Sequence, residues 1–546
     1  CEQSSYTEQQ GAPQDRGPSV FTAEWLGLSR QVVQLVVGRR HMSTPGANTA
    51  LLEKLEKAEL RIGLCEDSKL AKLLDPALPN IIGFLATDDA AVRAKVMAIL
   101  THLNKRIRGD SSVALPLTPL AKQFANPATA PMASNFCLVY LEMGLGRAAP
   151  AQRAVVVPPL LRGIARRGAA QQETLLSLLL GSLSELPLPG SHAELEGRLP
   201  FLTDPADRAL VLEWLLDLLQ FLPPPAAPAA DRSAEPPPGL SADAAKRVKG
   251  RLSHEEVRGE LLAAKKLAAC RLLGAPAGGA PVPVASSDAP AVTAAGGPAT
   301  AAGSPSAGGE GPLFSPLETL PHWLVASCDG DGAVKTTGEA RLRAVAAGTD
   351  LESHALIDSL CSLVLGSEAA AGAAAGSAAS PAARRRPSAV AVRTKAVSHL
   401  CRSVAAASRF PGVLQAAFHA LFAGDATPRL QQQGAALAEH ISSHAALPLL
   451  DAAGAHLLAG LLRVTRGEAT PGLRPDAPEA VSMRSHAYGA LAALCRRAPK
   501  LLAADSALPT ELFGALRTEE AGARTPLHEA LAALAKVHAP GAGGSA

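Results

Sequence analysis

The chain has 546 residues, of which 47% are hydrophobic, 18% are charged and 3% are aromatic. Lys and Arg number 52 against 49 for Asp and Glu, so no strong overall field draws the molecule to nucleic acid or anionic lipid. The scarcity of aromatic rings also argues against single-strand nucleic-acid binding, which needs stacking platforms. Because the 47 Gly and 44 Pro exceed the average share of about 12%, we expect Ala- and Leu-rich helices interrupted by low-complexity inserts.

The cysteines and the hydropathy pattern predict a soluble, intracellular protein. Eight cysteines lie far apart with no CxxC motif, which is typical of thiols in a reducing compartment rather than of a disulfide scaffold. No uninterrupted run of about 18 apolar residues is present, so we predict no direct insertion into a membrane.

The first 47 residues lack the pattern of the rest of the chain. Residue 1 is Cys, and a strong helical pattern starts only a few residues after Met42. We therefore predict that Met42 is the native start and that residues 1–47 are a disordered extension or an upstream artefact.

Helical periodicity begins at Ala50. Apolar residues recur at three- and four-residue steps as far as Ile62, which predicts a first helix. A second, short helix is predicted over residues 76–85, with Pro76 in its first turn. The turn Thr87-Asp88-Asp89 supplies an N-cap for a third helix. One face of that helix carries Val92, Val96, Ile99 and Leu103.

The same unit recurs along the chain as a helix, a short acidic turn and a second amphipathic helix. In three turns the acid is followed by an Arg one helical turn into the second helix, which could form a ladder of charge pairs between stacked neighbours. This pattern is typical of HEAT repeats of about 40–47 residues. We therefore predict an all-α fold: an α-solenoid of HEAT-like helical hairpins with disordered low-complexity inserts. The residues of the predicted repeat-turn charge pairs are Asp88, Arg93, Asp425, Arg429, Glu519 and Arg524.

Low-complexity segments divide the helical array. Their Pro, Ala, Gly and Ser cannot bury enough apolar surface to offset the entropy lost on ordering. For the Pro-rich stretch 223–238 we favour a plain linker over a docking site for an SH3-like domain. The predicted organisation is a HEAT-like array at 48–222, a Pro-rich linker at 223–243, a helical segment at 244–273, a disordered insert at 274–316, helical repeats at 317–365, a disordered basic-ended insert at 366–389, a HEAT-like array at 390–540 and a tail at 541–546.

Two features resemble metal sites but lack the ligands that a metal needs. The DGDG turn at 329–332 begins like a calcium loop, but the later ligand positions of an EF-hand hold Ala and Val. His440 and His444 are four residues apart, as zinc ligands on one helix face are, without a third ligand or a general base. Neither a phosphate-binding loop nor a hydrolase or metalloprotease motif occurs in the sequence. We predict no catalytic residue, no metal and no cofactor.

A run of positive charge marks the region between Glu368 and Asp425, which contains no acidic residue. One interpretation is a docking patch for an acidic partner; the alternative is a basic linker followed by a solvated helix face. Ser388 follows two arginines and a proline and so fits a basophilic kinase site, where phosphate would cancel part of the charge. The cations of the candidate patch are Arg384, Arg385, Arg386, Arg393, Lys395, Arg402 and Arg409.

Several short stretches carry a more specific signal, in order along most of residues 48–540. They are VRAKVM at 92–97, HLNKRI at 102–107, LP at 115–116, SNF at 134–136 with VY at 139–140, MG at 143–144, PPPGL at 236–240, AAKRV at 244–248, HAYGA at 486–490 and the repeat at 512–535. Together they resemble the N-terminal region of the large HEAT-repeat proteasome adaptor and scaffold proteins.

This resemblance implies a function. Members of that family bind the 26S proteasome, tether its core to its regulatory particle, monitor its assembly and link it to other cellular components. The resemblance therefore implies a non-catalytic adaptor of the cytoplasm and nucleus, whose partners are core and regulatory-particle subunits and not nucleic acid. Since the family's chains continue far beyond this length, we also expect an uncovered apolar face around Leu527, Leu531 and Leu534.

Other classes of protein share this architecture. An importin-type transport receptor is also a helical solenoid, but such receptors usually carry acidic inner surfaces for basic cargo, whereas this chain is slightly basic. A basic solenoid that binds RNA would show a steeply salt-dependent affinity. An enzyme would show turnover that a single substitution abolishes. The importin-like or other protein-interaction scaffold is the main alternative.

Overall fold

The computed structural model describes residues 45–190, 194–222, 235–250, 260–275, 312–366, 384–470, 472–503, 505 and 507–538. Regular structure in these ranges is helical, which confirms the predicted all-α solenoid of HEAT-like hairpins. The greater part of the predicted extension at 1–47, the insert at 274–316, the insert at 366–389 and the Pro-rich linker lies outside the described residues, as does the tail at 541–546.

Most successive helices are joined by short connections, apart from those interrupted by the low-complexity segments, and the helices form two compact units, one up to Leu141 and one from Glu142 onwards. In chain order they are α1 (Pro45–Leu64), α2 (Asp67–Gly83), α3 (Ala90–Gly109), α4 (Leu117–Ala125), α5 (Pro131–Leu145), α6 (Pro150–Leu160), α7 (Ala169–Ser182), α8 (Leu195–Arg198), α9 (Pro205–Gln220), α10 (Ala242–Lys249), α11 (Glu260–Leu273), α12 (Pro316–Ala326), α13 (Gly332–Gly348), α14 (His354–Leu365), α15 (Val390–Leu400), α16 (Val404–Ala407), α17 (Gly412–Phe422), α18 (Pro428–His444), α19 (Leu447–Thr465), α20 (Pro478–Arg497), α21 (Pro499–Ala503), α22 (Leu508–Ala515) and α23 (Ala521–His538).

In the first unit, α1 packs on α3 and α2 on α4, so that alternate helices stack. The predicted apolar face of α3 is fully buried. Asp89 caps this helix, because its carboxylate accepts hydrogen bonds from the amides of Ala91 and Val92. Near the other end of α3, Arg106 donates to the carbonyl oxygen of Cys65 at 2.8 Å and also pairs with Asp67. Arg106 thus fixes the turn between α1 and α2.

The second helix is longer than its sequence predicts. It begins at Asp67 rather than at Pro76, and both Pro76 and Pro79 lie inside it. Each proline removes a backbone donor, yet Leu70, Leu74 and further apolar residues of α2 remain buried at helical spacing. Burial of this face outweighs the local cost of the two prolines.

The second unit continues the stacking of hairpins. Helices α15, α18, α20 and α23 pack one on the next, while α17 packs on α18, α19 on α20, and α22 on α23. Each hairpin therefore contacts its neighbours along the array, as in other repeat proteins. The predicted uncovered face on α23 is wrong: Leu527, Leu531 and Leu534 are buried, and α23 packs against α20.

Within the described ranges, α19 is long and apolar enough, by length and composition alone, to cross a membrane. It contains Asp451, His456 and Arg463, so it is not an uninterrupted apolar run. Its Leu457 and Leu461 are buried, and it packs against α18 and α20. This is the arrangement of a core helix in a repeat array.

The ends of two low-complexity segments are ordered. The Gly239 amide donates to the Pro387 carbonyl oxygen at 2.9 Å, and the Arg386 amide donates to the Leu240 carbonyl oxygen at 3.2 Å. We name residues 235–240 and 384–389 the clasp. The sequence predicted disorder for 384–389 and a plain linker at 235–240, and for these described residues the prediction is wrong. Their partners lie about 150 positions away in the chain, where local composition gives no information.

An ion pair joins α9 to α12, which are separated in sequence by the Pro-rich segment, α10, α11 and the long insert. Arg208 of α9 donates to Glu318 in the first turn of α12 at 2.7 and 2.9 Å. Partial burial opposes ionisation of Glu318, but the hydrogen bonds from Arg208 and Ser315 outweigh it and lower its pKa to about 2. The ionised form therefore stabilises the fold above the ordinary carboxyl pKa, and this contribution is lost as the pH falls towards 2.

Substitution of this carboxyl should have a pH-dependent effect. We expect Glu318→Gln to lower the thermal midpoint at pH 7 and the difference from the wild type to shrink between pH 4.5 and pH 2.5, where the unfolded chain takes up the proton while the folded protein stays largely ionised. Calorimetry of both proteins across this range measures the difference. A gap that stays constant down to pH 2.5 would show that the pair does not act through the charge of Glu318.

Candidate protein-docking surface and the joints between repeats

The first cations of the predicted docking patch are engaged inside the chain. Arg385 donates to Glu213 at 2.7 Å and also pairs with Asp217, which Arg247 approaches to 3.8 Å. The Asp217 side chain is fully buried, and this burial raises its pKa to about 6 against the opposing effect of Arg385. The charge of Arg385 therefore stabilises the contact between the clasp and α9.

Most other members of the patch also have partners. Arg402 is exposed, and Arg384 lies exposed at the start of its segment. The patch predicted from the run of positive charge is thus not a free docking surface, because the acids that match it come from other repeats. The pairings are Arg386 with Glu235 at 3.1 Å, the buried Arg393 with Asp425, Lys395 with the Ser327 carbonyl oxygen at 3.0 Å, and Arg409 with Asp358 at 2.6 and 2.8 Å.

Ser388, the predicted phosphorylation site, is buried. Its hydroxyl donates to the Gln220 side-chain oxygen at 2.7 Å, and its amide donates to the Leu363 carbonyl oxygen at 3.0 Å. A kinase cannot reach a hydroxyl that is 3% exposed, so the prediction is wrong for this folded arrangement. Gly239 lies beside it with a φ of 83°, and a Cβ atom there would be 1.7 Å from the Gln220 oxygen.

In two of the predicted repeat turns, the arginine donates to a backbone carbonyl oxygen of its own turn and not to the acid. Arg93 donates to the Thr87 carbonyl oxygen at 2.8 Å, not to Asp88. Arg524 donates to the backbone carbonyl oxygen of Glu519 at 2.8 Å, not to its carboxylate. The acids and arginines were placed correctly in the turns, but their predicted pairing is wrong.

The structure does contain a ladder, which runs from one repeat to the next. Asp425 pairs with Arg393 of the preceding repeat rather than with Arg429. At the corresponding place in the next repeat, Gln431 donates to the carbonyl oxygen of Ala469 at 2.5 Å. In each case a side chain from the first half of a second helix holds the turn of the following hairpin. These contacts, with the one between Arg484 and Glu519, form the turn ladder.

The last contact of the turn ladder is buried. We call its three residues, Arg484, Tyr488 and Glu519, the node. Arg484 donates to the Glu519 carboxylate at 2.7 and 3.0 Å, and the Tyr488 hydroxyl donates to it at 2.8 Å. Burial opposes ionisation of Glu519, but these hydrogen bonds outweigh it and hold its pKa below the ordinary value. The carboxylate is therefore charged and fully partnered within the stack.

The HAYGA stretch at 486–490 contributes to joints in both directions. His486 lies 2.7 Å from Glu439 of α18, and a Cβ atom at Gly489 would come within 2.2 Å of the same carboxylate. Tyr488, between them in sequence, reaches Glu519 instead. The stretch thus joins α20 to α18 on one side and to the turn before α23 on the other, and these contacts are structural.

The features that resemble metal sites have structural roles. Asp331 caps α13 through the amides of Ala333 and Val334, and Asp329 pairs with Lys266 at 2.5 Å. His440 contacts the Ser403 carbonyl oxygen at 2.7 Å, and His444 contacts the carbonyl oxygen of His440. Among the residues that the structure describes, no group of three or more His, Cys, Asp or Glu side chains is placed to hold a metal.

Several of the described thiols are packed in the interior. Cys137, Cys270 and Cys361 are buried, and this burial raises the pKa of each to about 12. A thiol with so high a pKa carries almost no nucleophilic thiolate at neutral pH. These side chains belong to the core of the repeats.

Comparison with known proteins identifies the family that this chain matches. Residues 55–541 match the family model described as "Proteasome component ECM29, N-terminal". The human "Proteasome adapter and scaffold protein ECM29" is 26% identical over 506 residues, covering 88% of this chain and 25% of that protein. The Drosophila melanogaster "Proteasome-associated protein ECM29 homolog" is 23% identical over 491 residues, covering 90% and 23%. The chain spans about a quarter of the length of these curated relatives.

Solved structures add little beyond this. The match to a crystal structure of Kap121p covers 94% of this chain and 47% of the Kap121p chain, with a TM-score of 0.28 and 14% sequence identity. At that TM-score the likeness carries no argument about function. The family match covers most of the chain and contains the joints formed by Arg106, Gly239 and the HAYGA stretch. The chain belongs to the ECM29 family and corresponds to its N-terminal region.

Proposed function

We propose that this chain is part of a non-catalytic scaffold that binds the 26S proteasome. The observation that carries the proposal is the family match over residues 55–541, since the relatives bear the names of proteasome adapters and scaffolds. The partners proposed are core and regulatory-particle subunits, and the compartments proposed are the cytoplasm and nucleus. Assembly, quality control and tethering of the proteasome are the roles that such a scaffold would serve.

The joints between repeats support a mechanical role. A scaffold must hold distant binding sites at fixed spacing, and in a solenoid this depends on the contacts between neighbouring repeats. Here those contacts include the fully partnered ion pair of Arg484 with Glu519 and the paired Arg393. Two of the stretches that carry the family resemblance, 486–490 and 512–535, contribute Tyr488 and Glu519 to one of these joints, so these residues have a structural explanation.

Binding to purified particles tests the proposal. We expect the full 546-residue chain, carrying an affinity tag, to retain purified 26S proteasome on a resin at moderate salt, with core and regulatory-particle subunits identified by mass spectrometry. Proteasome treated to separate core from regulatory particle then shows which of the two is bound. The tag alone serves as the control for background.

Two results would contradict the proposal. Purified proteasome that passes through the resin at the level of the tag control would remove this segment from the proteasome-binding part of the family. Recovery of nuclear-transport factors from extract, with no retention of purified proteasome, would favour the importin-like alternative.

A further inference from the structure

One edge of the second unit combines exposed cations with exposed apolar side chains. It lies where α15, α18 and α20 end and the helices after them begin. Val404 is 56% exposed and Leu447 is 50% exposed, although large apolar residues elsewhere in this unit are mostly buried. We define the basic edge as Arg402, Val404, Leu447, Arg496 and Lys500, all of which are exposed.

Hydrogen bonds join the loops of this edge into one surface. The loop after α15 contacts α18 through His440, whose ring nitrogen is 2.7 Å from the Ser403 carbonyl oxygen. The same loop contacts the start of α19, because the Ala446 amide donates to the Ser408 hydroxyl at 2.9 Å. Arg497 of α20 donates to the Ser442 carbonyl oxygen at 2.9 Å. The basic edge is thus continuous across three repeats.

The cations of the basic edge are not matched by acids. Arg402, Arg496 and Lys500 form no ion pair with any acid in the described part of the chain. Two carboxylates lie nearby: Glu352, whose oxygens accept hydrogen bonds from the backbone around residue 404, and Asp451 one turn into α19. Glu352 and Asp451 are exposed and negative, but the three unpaired cations outnumber them, so the net charge of the edge is positive.

Helix capping does not explain these cations. Basic residues often lie near a helix C-terminus because they interact with its free carbonyl groups. Here Arg497 performs that role for α18, with bonds to the carbonyl oxygens of Ser442 and Ala445. Arg402 and Arg496 make no such bond among the described residues and are exposed, as are Val404 and Leu447. Arginine is enriched at protein–protein interfaces relative to the rest of the surface, so two exposed, unpaired arginines point to a protein ligand.

We propose that the basic edge binds an acidic segment of a partner protein, whose apolar side chains contact Val404 and Leu447. Charge complementarity selects the partner, because the unmatched cations attract carboxylates and repel basic segments. The apolar pair adds contact area that a simple polyanion cannot use. This inference deepens the proposed function, on which it rests for the premise that the ligand is a protein, by naming the chemistry of the partner segment.

A peptide titration tests the site directly. The probe is a fluorescein-labelled peptide of alternating Glu and Leu, compared with one in which Lys replaces every Glu and one in which Ser replaces every Leu. Fluorescence anisotropy with the full chain measures the affinity. The edge variant carries Arg402→Glu, Arg496→Glu and Lys500→Glu, and the matched control carries Lys57→Glu, Lys72→Glu and Lys122→Glu, which change the net charge equally at exposed positions.

The wild type should bind the Glu–Leu peptide, with an affinity that falls as salt is added. The edge variant should bind at least about tenfold more weakly, and the control variant within about twofold of the wild type. A variant with Val404→Ser and Leu447→Ser should lose about fivefold for the Glu–Leu peptide and nothing for the Glu–Ser peptide. Circular dichroism and thermal melting confirm that these surface variants are folded.

Several results would overturn the inference. Equal affinity of the edge and control variants for the Glu–Leu peptide would show that the charge of the whole chain, not the edge, is responsible. Equal or tighter binding of a single-stranded RNA oligonucleotide, lost in the edge variant, would identify a general polyanion site instead. Tighter binding of the Lys–Leu peptide would contradict the charge argument.

The proteasome assay separates this inference from the proposed function. If the wild type binds the peptide through the edge but does not retain purified 26S proteasome, the proposed function fails and the edge inference stands. If proteasome is retained but the edge and control variants bind the peptide alike, the edge inference fails alone. If proteasome retention is also lost in the edge variant, its partner segment lies on the proteasome.

Discussion

We expect Arg484→Ala to destabilise the packing of α20 against α23 by about 3–5 kcal/mol, because it leaves the buried Glu519 carboxylate without its cation. Tyr488 remains as a hydrogen-bond donor to Glu519, but a single neutral donor does not compensate a buried charge. Tyr488→Phe should cost only about 1 kcal/mol, since it removes one hydrogen bond and leaves the ion pair. The order of the two effects identifies the charge pair as the main contribution.

Hydrogen exchange of the α23 amides, read by mass spectrometry, measures this effect locally, which suits a repeat protein that need not unfold in one step. Arg474→Ala is the matched control. Arg474 is also an arginine beside an acid of the same region, but its side chain is 80% exposed, so we expect less than about 0.5 kcal/mol. Equal protection of α23 in the two variants would contradict the assigned role of the node.

The pH dependence follows from the same contacts. Since the pKa of Glu519 is held below its ordinary value in the folded chain, the node stabilises the fold above that ordinary value. The contribution is lost as the pH falls through the lowered folded pKa. The wild type and Arg484→Ala should therefore converge in stability in acid, whereas an effect of packing alone would persist there.

The helices were predictable because apolar spacing is a local property of the sequence. The face of α3 and the turns before α18 and α23 lie where periodicity and acidic turns place them. Pro76 misled the prediction because a proline is a local signal, whereas the burial that carries α2 through it depends on α4 and other neighbours.

Partner choice was not predictable from the sequence. Asp425 pairs with Arg393, 32 residues earlier, because neighbouring repeats stack at that separation and not because the two residues share a turn. The run of cations from Arg384 to Arg409 had no acids nearby in sequence, yet Asp217 and Asp358 reach two of its members from other repeats. Of the cations of the basic edge, the predicted patch contained Arg402 alone, since Arg496 and Lys500 lie far from it in sequence and only the stacking brings their loops together.

Gly366→Ala is the second substitution with a large expected effect, and it tests the clasp. Gly366 ends α14 with φ 78° and ψ −169°, a conformation that glycine alone adopts without strain. A Cβ atom there would lie 2.3 Å from the backbone carbonyl oxygen of Arg385, which cannot rotate away as a side chain could. Strain and collision together should cost about 3 kcal/mol or more and displace residues 384–389.

The amides that hold the clasp report this displacement. In the wild type the amides of Gly239, Arg386 and Ser388 donate to backbone carbonyl groups, so they should exchange slowly. In Gly366→Ala we expect them to exchange about 100-fold faster, which corresponds to about 3 kcal/mol.

Gly467→Ala is the matched control, because Gly467 has a φ of 77° but no atom within 4 Å of the added Cβ. It should cost about 1–2 kcal/mol in its own turn and leave the clasp amides protected. If both variants left the clasp amides at the wild-type rate, the segment 384–389 would not depend on the close approach at Gly366. The contacts of Arg385 with Glu213 and Asp217 would then be sufficient to hold it.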